Sequence, residues 1–330
     1  MSKIKVLVTL GPASLKRKVI EEIDQLGVDL YRINLSHTKL EDLPKVIEEI
    51  RNYSRTPICL DTEGAQIRTG DSWDSALSVL GYSVMDYKRR QISDKIETLL
   101  CQLYPPNVFQ LLKLGDHLQL DFNGAKIKLE KWGDYALYEY GEIGKNKGVH
   151  LMNRDIELPP LTEKDEAALK LGQDLNIKHV ALSFCNKPAD LDILEQHLRK
   201  ETQVIAKIET QSALYHLDDI LQKVETILID RGDLSRYVKL EDIPFVQRRI
   251  VKRAQHYQKE VYVATNLLES MVTRNEPTRA EVNDVISSLI MGVNGLVLAA
   301  ETAIGKYPVK CVAMIHKLIT AYEAHGNEYL

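Results

Sequence analysis

No apolar run in this chain approaches the roughly 18 residues that crossing a bilayer requires, and no charged stretch followed by an apolar one opens it as a secretory leader would. The expectation is a soluble, cytoplasmic protein with no membrane partner. An excess of basic charge is lacking too. The 43 Lys and Arg fall short of the 47 Asp and Glu, for a net charge of -4, so no positive stripe offers nucleic acid an electrostatic reason to bind. A metabolite is the expected partner. Cysteine is scarce: Cys59, Cys101, Cys185 and Cys311 lie far apart with no CxxC pair among them, which speaks against a zinc or dithiol site and reads as reduced thiols. Solenoid periods and low-complexity tracts are missing as well.

What the sequence does have is length and alternation. Its 330 residues, 44% hydrophobic, can bury one large core and a smaller second module. Short β-branched runs alternate with helix-length amphipathic runs, the mark of parallel strands joined by crossover helices. Eight strands are expected: Lys5 to Leu10, Asp29 to Asn34, Pro57 to Asp61, His179 to Phe184, Val204 to Ile208, Thr226 to Asp230, Val261 to Thr265 and Gly295 to Ala299. In the first crossover Ser14 can cap a helix, Val19, Ile23 and Leu26 share a face, and Gly27 can end it. The second repeats the plan with Leu43, Val46, Ile47 and Ile50, and a last helix runs from about Pro308 to Ala324. Eight such units fit an α/β fold of the (β/α)8 TIM-barrel type better than an open sheet.

Residues 71–152 interrupt the alternation between the third and fourth strands. They predict a small β-rich lid domain inserted into a barrel made of 1–70 and 153–330. From Leu114 to Leu151 short strands are expected between turns at Asn123-Gly124, Trp132-Gly133-Asp134 and Lys147-Gly148. The stretch from Ile92 to Leu112 reads as a short helix followed by Pro105-Pro106.

Active sites of such barrels lie at the C-terminal ends of the strands, and here those ends are rich in polar residues. They bear Arg32, Asn34, Ser36 and His37; Asp61, Thr62 and Glu63, with Arg68 beyond; Ser183; Lys207 and Glu209; Asp230 to Asp233; Thr265 and Asn266; and Glu301 and Thr302. Charges converging on one mouth must neutralise one another or bind something charged. Glu209 and Asp233, with Lys207 and Arg32, can hold a divalent cation against an anionic substrate. Mg2+ takes one or two protein carboxylates and completes its octahedron with water and substrate oxygens. That donor set points to phosphoryl or enolate chemistry.

The same residues resemble the pyruvate kinase family, in order along nearly all of the barrel. The matching stretches are Val8 to Ser14, Arg32 to His37, Leu60 to Gly64 with Ile67 to Gly70, Ala206 to Glu209, Arg231 to Leu234, Ala264-Thr265 with Leu268 to Met271, Pro277 to Glu281 and Glu301 to Ala303. The resemblance implies phosphoryl transfer between phosphoenolpyruvate and ADP, giving pyruvate and ATP, with Mg2+ (or Mn2+) and usually K+. It implies a barrel with a β domain after the third strand, and a homodimer through the barrel. By position, Glu209 and Asp233 would ligate Mg2+, and Lys207 would stabilise the moving phosphoryl group and the enolate. Arg32 would hold the phosphate. Asn34, Ser36, Asp61 and Thr62 would form the K+ site. Asn34, His37, Arg68 and Lys147 would face the nucleotide. Thr265, with backbone amides at Arg231, Gly232 and Asp233, would take the substrate carboxylate.

The departures from the family pattern are specific. Ala299 stands where the family's Ser-Gly-Glu-Thr-Ala has its serine, removing a hydroxyl expected to help protonate the enolate. Glu63 replaces the lysine of Asp-Thr-Lys-Gly and reverses a charge near the nucleotide region. Gln66 stands where the residue that reports on K+ dependence lies. Asp230 replaces the alanine before Arg-Gly-Asp and sets a carboxylate close to the expected place of the substrate carboxylate. The chain also ends after the eighth helix, so the family's C-terminal domain is expected to be missing.

Plainer roles compete with these. Glu209 and Asp233 can be mere ion-pair partners of Lys207, Arg279 and Glu281 are better read as locking a helix start, and Lys147 as a solvated turn lysine. His150, His216 and His256 have no ligand spacing. Two alternatives to the kinase remain at this stage. One is Mg2+-dependent enolate chemistry on a 2-oxoacid, of decarboxylase or aldolase type and without nucleotide, favoured by Glu63 and Ala299. The other is a non-catalytic metabolite-binding relative, opposed by the intact Lys207, Glu209, Asp233, Thr265 and Arg32.

Overall fold

A computed structural model describes residues 3–70, 103–120, 126–131, 134–139, 147–154 and 156–325. The chain divides into one unit of residues 1–64 with 160–330 and a second of residues 65–159. Strands β1 (Lys5–Thr9), β2 (Leu30–Asn34), β3 (Ile58–Asp61), β10 (His179–Leu182), β11 (Gln203–Ile208), β12 (Thr226–Asp230), β13 (Glu260–Ala264) and β14 (Gly295–Leu298) belong to the first unit. They close a barrel in the order β1-β14-β13-β12-β11-β10-β3-β2, every pair parallel. The eight-stranded α/β barrel read from the sequence is therefore the fold.

Side chains alternate across each strand, and that alternation sorts the barrel into layers. Val6, Val8, Tyr31, Ile33, Leu60, Val180, Leu182, Ala206, Ile208, Ile227 and Ile229 pack outward among the helices. Leu7, Leu30, Cys59, Ala181, Ile205, Leu228, Tyr262, Ala264 and Val297 form a separate apolar cluster inside. Two residues beyond these interior positions come Thr9, Arg32, Asp61, Ser183, Lys207 and Asp230, all buried. The period-two rule thus stacks a polar layer on an apolar floor at the strands' C-terminal ends.

Several local expectations need correction. Strands end one or two residues sooner than their apolar runs: Leu10, Phe184, Thr265 and Ala299 lie beyond β1, β10, β13 and β14. At two of these ends the backbone turns into the left-handed region, with φ of 53° at Phe184 and 72° at Thr265. Ser14 caps no helix. Its Oγ accepts from Gly11 N at 3.1 Å within the preceding turn, and the helix starts at Arg17. Gly27 does follow that helix, at φ +89°. The final helix spans Pro308–His325, and no helix among the described residues is long and apolar enough to cross a membrane.

In the second unit, β4 (Ile67–Thr69), β5 (Leu103–Tyr104), β6 (His117–Leu120), β7 (Lys126–Lys131), β8 (Asp134–Glu139) and β9 (Gly148–Leu151) form a sheet in the order β5-β4-β9-β6-β7-β8. Its core gathers Ile67, Leu103, Val108, Leu118, Leu120, Ile127, Leu129, Val149 and Leu151. Lys147-Gly148 is not a turn: Gly148 opens β9, and Lys147 N donates to Thr69 Oγ1 at 2.8 Å while Lys147 O accepts from Thr69 N at 2.9 Å. The turns expected at 123–124 and 132–133 lie outside the described residues, as do 71–102. Of the helix expected before the proline pair nothing is described short of residue 103; a one-turn helix, Val108–Leu111, follows the pair.

Candidate active site

Lys207 sits at the centre of the polar layer and is 3% exposed. Its ammonium lies 2.8 Å from Glu209 Oε1, 3.4 Å from Asp61 Oδ1 and 3.6 Å from Asp230 Oδ2, and donates to Ser183 Oγ at 3.0 Å. Burial works against the charged ammonium, but these carboxylates outweigh it and raise its pKa. Lys207 is therefore a fixed positive charge. Glu209 lies just past the end of β11, yet reaches back to it, and its Oε2 accepts from Phe184 N at 2.6 Å. The left-handed turn at Phe184 aims that N–H at Glu209.

Arg32 is the second buried cation. Its Nε donates to Asp61 Oδ2 at 3.0 Å, Nη2 pairs with the same oxygen, and Nη1 donates to Thr9 Oγ1 at 2.9 Å. A guanidinium has five N–H groups, so further N–H groups of the two Nη atoms remain for a ligand. Asp61, expected at a K+ site, is committed to Arg32 and Lys207 and also accepts from Ser183 Oγ at 3.3 Å. Thr62 Oγ1 accepts from Ser183 N at 2.9 Å. Asn34 Oδ1 accepts from Ser36 N at 2.9 Å, and His37 N donates to Asn34 O at 3.1 Å. These residues share the ends of β2 and β3, where Asn34 is in register with Asp61.

Glu209, Asp230 and Asp233 each offer a carboxylate oxygen, and the three lie within 4.8 Å of one another. Desolvation by burial raises the Glu209 pKa to about 8; Asp233 and Asp230 add to the rise and Lys207 opposes it. Glu209 Oε1, although close to Lys207, takes part in no hydrogen bond of good geometry. Crowded oxygen donors of this kind fit a hard divalent cation. Glu209 and Asp233 are the holders expected from the sequence; Asp230 stands beside them, with its Oδ1 taken by Thr265 and Gly232.

Asp230 has a second attachment. Its Oδ1 accepts from Thr265 Oγ1 at 2.6 Å and from Gly232 N at 3.2 Å. Burial would raise its pKa, but Lys207, Arg32 and these hydrogen bonds win, and it is held below the usual carboxylate range. Thr265 is β-branched at φ 72°, a strained conformation for such a residue. Arg231 steadies it, Nε and Nη2 donating to Thr265 O at 3.1 and 2.7 Å while Nη1 pairs with Asp284 at 2.6 Å. The Arg231 side chain thus serves Thr265 rather than a ligand. Gly232 has no room for a side chain, since a Cβ would come 2.9 Å from Thr265 Cγ2.

Glu63 is neutralised locally. Lys164 Nζ lies 2.8 Å from its Oε1, and Thr162 Oγ1 donates to its Oε2 at 3.3 Å. Asp165 then accepts from Glu63 N and Gly64 N at 2.7 and 3.1 Å. Thr162 and Asp165 form the capping box of helix Glu163–Asp174, so the cap that starts this helix also fixes the loop after β3. Sequence reading missed Lys164; the Thr-x-x-Asp spacing was its available signal. The helix start expected to be locked by Arg279 and Glu281 is held by Thr278 and Glu281, which form a capping box, and Glu281 also accepts from Ser270 N and Oγ. Arg68 and Lys147 lie in the second unit.

A closed parallel barrel that gathers two buried cations, three carboxylates and a strained threonine at the C-terminal ends of its strands belongs to the (β/α)8-barrel class, whose active sites lie at that end. The family model for the pyruvate kinase barrel domain matches residues 1–312. The pyruvate kinase of Thermotoga maritima is 31% identical over an alignment of 332 positions that covers 96% of this chain and 70% of that protein. That of Methylorubrum extorquens is 32% identical, covering 97% and 69%, and that of Aeropyrum pernix 30%, covering 96% and 70%. This chain belongs to the pyruvate kinase family.

Proposed function

We propose that the barrel mouth transfers a phosphoryl group between an enol oxygen, as in phosphoenolpyruvate, and an acceptor such as ADP, with Glu209 and Asp233 holding Mg2+. The observation that carries the reading is the buried Lys207 ammonium, 2.8 Å from Glu209 in a mouth that also holds Arg32 and the Glu209, Asp230, Asp233 triad. When bound, Mg2+, or Mn2+ in its place, supplies Lewis-acid charge to the substrate oxygens. Lys207 places a fixed positive charge where negative charge grows on the transferring group and the enolate. Arg32, braced by Asp61 and Thr9, holds the phosphate with its remaining N–H groups. Preorganisation does most of the work, because the barrel and its ion pairs hold both cations in place before substrate arrives.

The K+ role of Asn34, Ser36, Asp61 and Thr62, and nucleotide contact by Asn34, His37, Arg68 and Lys147, rest on the resemblance. The alternative of nucleotide-free enolate chemistry on a 2-oxoacid keeps the support of Ala299, but loses that of Glu63, whose charge Lys164 balances. Phosphorus NMR of the purified protein with millimolar phosphoenolpyruvate, ADP and Mg2+, with and without K+, tests the reading. The phosphorus should pass to ATP in the wild type and not in Glu209→Gln. No transfer of phosphorus, together with Mg2+-dependent turnover of a 2-oxoacid in the absence of nucleotide, would favour the alternative.

A further inference from the structure

Two hydrogen-bond donors at the floor of the mouth, the Thr265 hydroxyl and the Gly232 amide, are both directed at one oxygen of an internal carboxylate, Asp230 Oδ1, at 2.6 and 3.2 Å. The chain invests in this arrangement. Thr265 is held at φ 72° by Arg231 and Asp284, and Gly232 leaves the space that the Asp230 carboxylate and the threonine fill. Asp230 Oδ2 faces Lys207 at 3.6 Å. Two cations, Arg32 and Lys207, already answer three buried carboxylates, Asp61, Glu209 and Asp230. An anionic group arriving beside Asp230 would find its donors taken and a like charge next to it, a juxtaposition costly where solvent is excluded.

We propose that Asp230 is an internal stand-in for a substrate carboxylate, so that the phosphorylated substrate of this barrel carries no carboxylate beside its reacting oxygen. It presents instead an uncharged hydrogen-bond donor, a hydroxyl, to Asp230 Oδ2. The substrate class is thus an enol phosphate with a hydroxymethyl-type neighbour. The phosphate still meets Arg32 and Lys207, so the inference rests on the phosphoryl-transfer reading above and narrows it. Phosphoenolpyruvate becomes a weak substrate that binds only by competing with Asp230.

Calorimetric titration in Mg2+ tests this with two probes: phosphoenolpyruvate, and its counterpart in which –CH2OH replaces the carboxylate. The wild type should bind the hydroxymethyl compound at least about tenfold more tightly, a ratio equivalent to about 1.4 kcal/mol. Asp230→Ala should invert the order, and Asp230→Asn, which keeps the shape and loses the charge, should narrow it should the alanine variant not fold. Equal or tighter binding of phosphoenolpyruvate by the wild type overturns the inference and leaves the phosphoryl-transfer reading standing. An unchanged ratio in the folded variants overturns the role of Asp230. Binding of neither probe to wild type or variants defeats the phosphoryl-transfer reading, and this inference with it.

Discussion

Lys207 Nζ lies 2.8 Å from Glu209 Oε1, although β11 has ended between them. The pair is buried with Asp61 and Asp230 around it, so the ammonium is the charge that makes three carboxylates tolerable in one place. Removing one partner of a buried ion pair costs about 3–5 kcal/mol. Lys207→Met should therefore lower the unfolding free energy by about that amount at pH 8, and by less at pH 6, where the abandoned carboxylates can protonate. Denaturant melts at the two pH values measure it. Equal losses at both would contradict the account.

Gly232 is required by contact. A methyl there would come 2.9 Å from Thr265 Cγ2 and 3.3 Å from Asp230 Oδ1, and Thr265 is already strained. Gly232→Ala should destabilise the protein by about 1–3 kcal/mol, the usual cost of overpacking, and weaken substrate binding more than Gly295→Ala weakens it. Thermal melts and substrate titration on the same samples check both parts.

Glu63→Lys would set a second ammonium against Lys164, now 2.8 Å from the Glu63 carboxylate. The single variant should be less stable than wild type by about 1 kcal/mol, and the exchange Glu63→Lys with Lys164→Glu should recover much of the loss, as coupled neighbours do. A double-mutant cycle in urea reads the coupling; additive losses would show that the two side chains act independently.

The Glu281 carboxylate gives a pH signature. Partial burial pushes its pKa up, but hydrogen bonds from Ser270 and Thr278 outweigh that and hold it below the ordinary glutamate value. A depressed folded pKa contributes stability that is present above the unfolded value and is lost as pH falls through the folded one. Glu281→Gln should thus destabilise at pH 7, by about 0.5–2 kcal/mol as lost caps do, and the difference should shrink toward acid pH. A difference that grows on acidification would contradict this.

The barrel was legible because β-branched runs alternate with helical ones, and the mouth because charged residues follow each run. Lys207, Glu209, Arg32, Asp230 and Thr265 are brought together as strand ends predict. Strand ends themselves were misread at Phe184 and Thr265, since neither apolar character nor propensity reports a left-handed turn held by a distant carboxylate or guanidinium. Pairings across the barrel were hidden for the same reason: Lys164 meets Glu63 101 residues away, and Asp230 meets Thr265 35 residues away. Sequence showed that Glu63 reversed a charge. Only the fold shows the charge that answers it.

In the proposed reaction Lys207 supplies the fixed positive charge for phosphoryl transfer. The most direct measurement is the steady-state rate of ATP formation from phosphoenolpyruvate and ADP in Mg2+, comparing wild type, Lys207→Met and Lys207→Arg at saturating substrate, with folding verified by circular dichroism. The kcat should be at least about 10²-fold lower in folded Lys207→Met, the scale of losing a preorganised electrostatic contact, with Lys207→Arg less affected. A folded Lys207→Met that turns over at the wild-type rate would contradict that role.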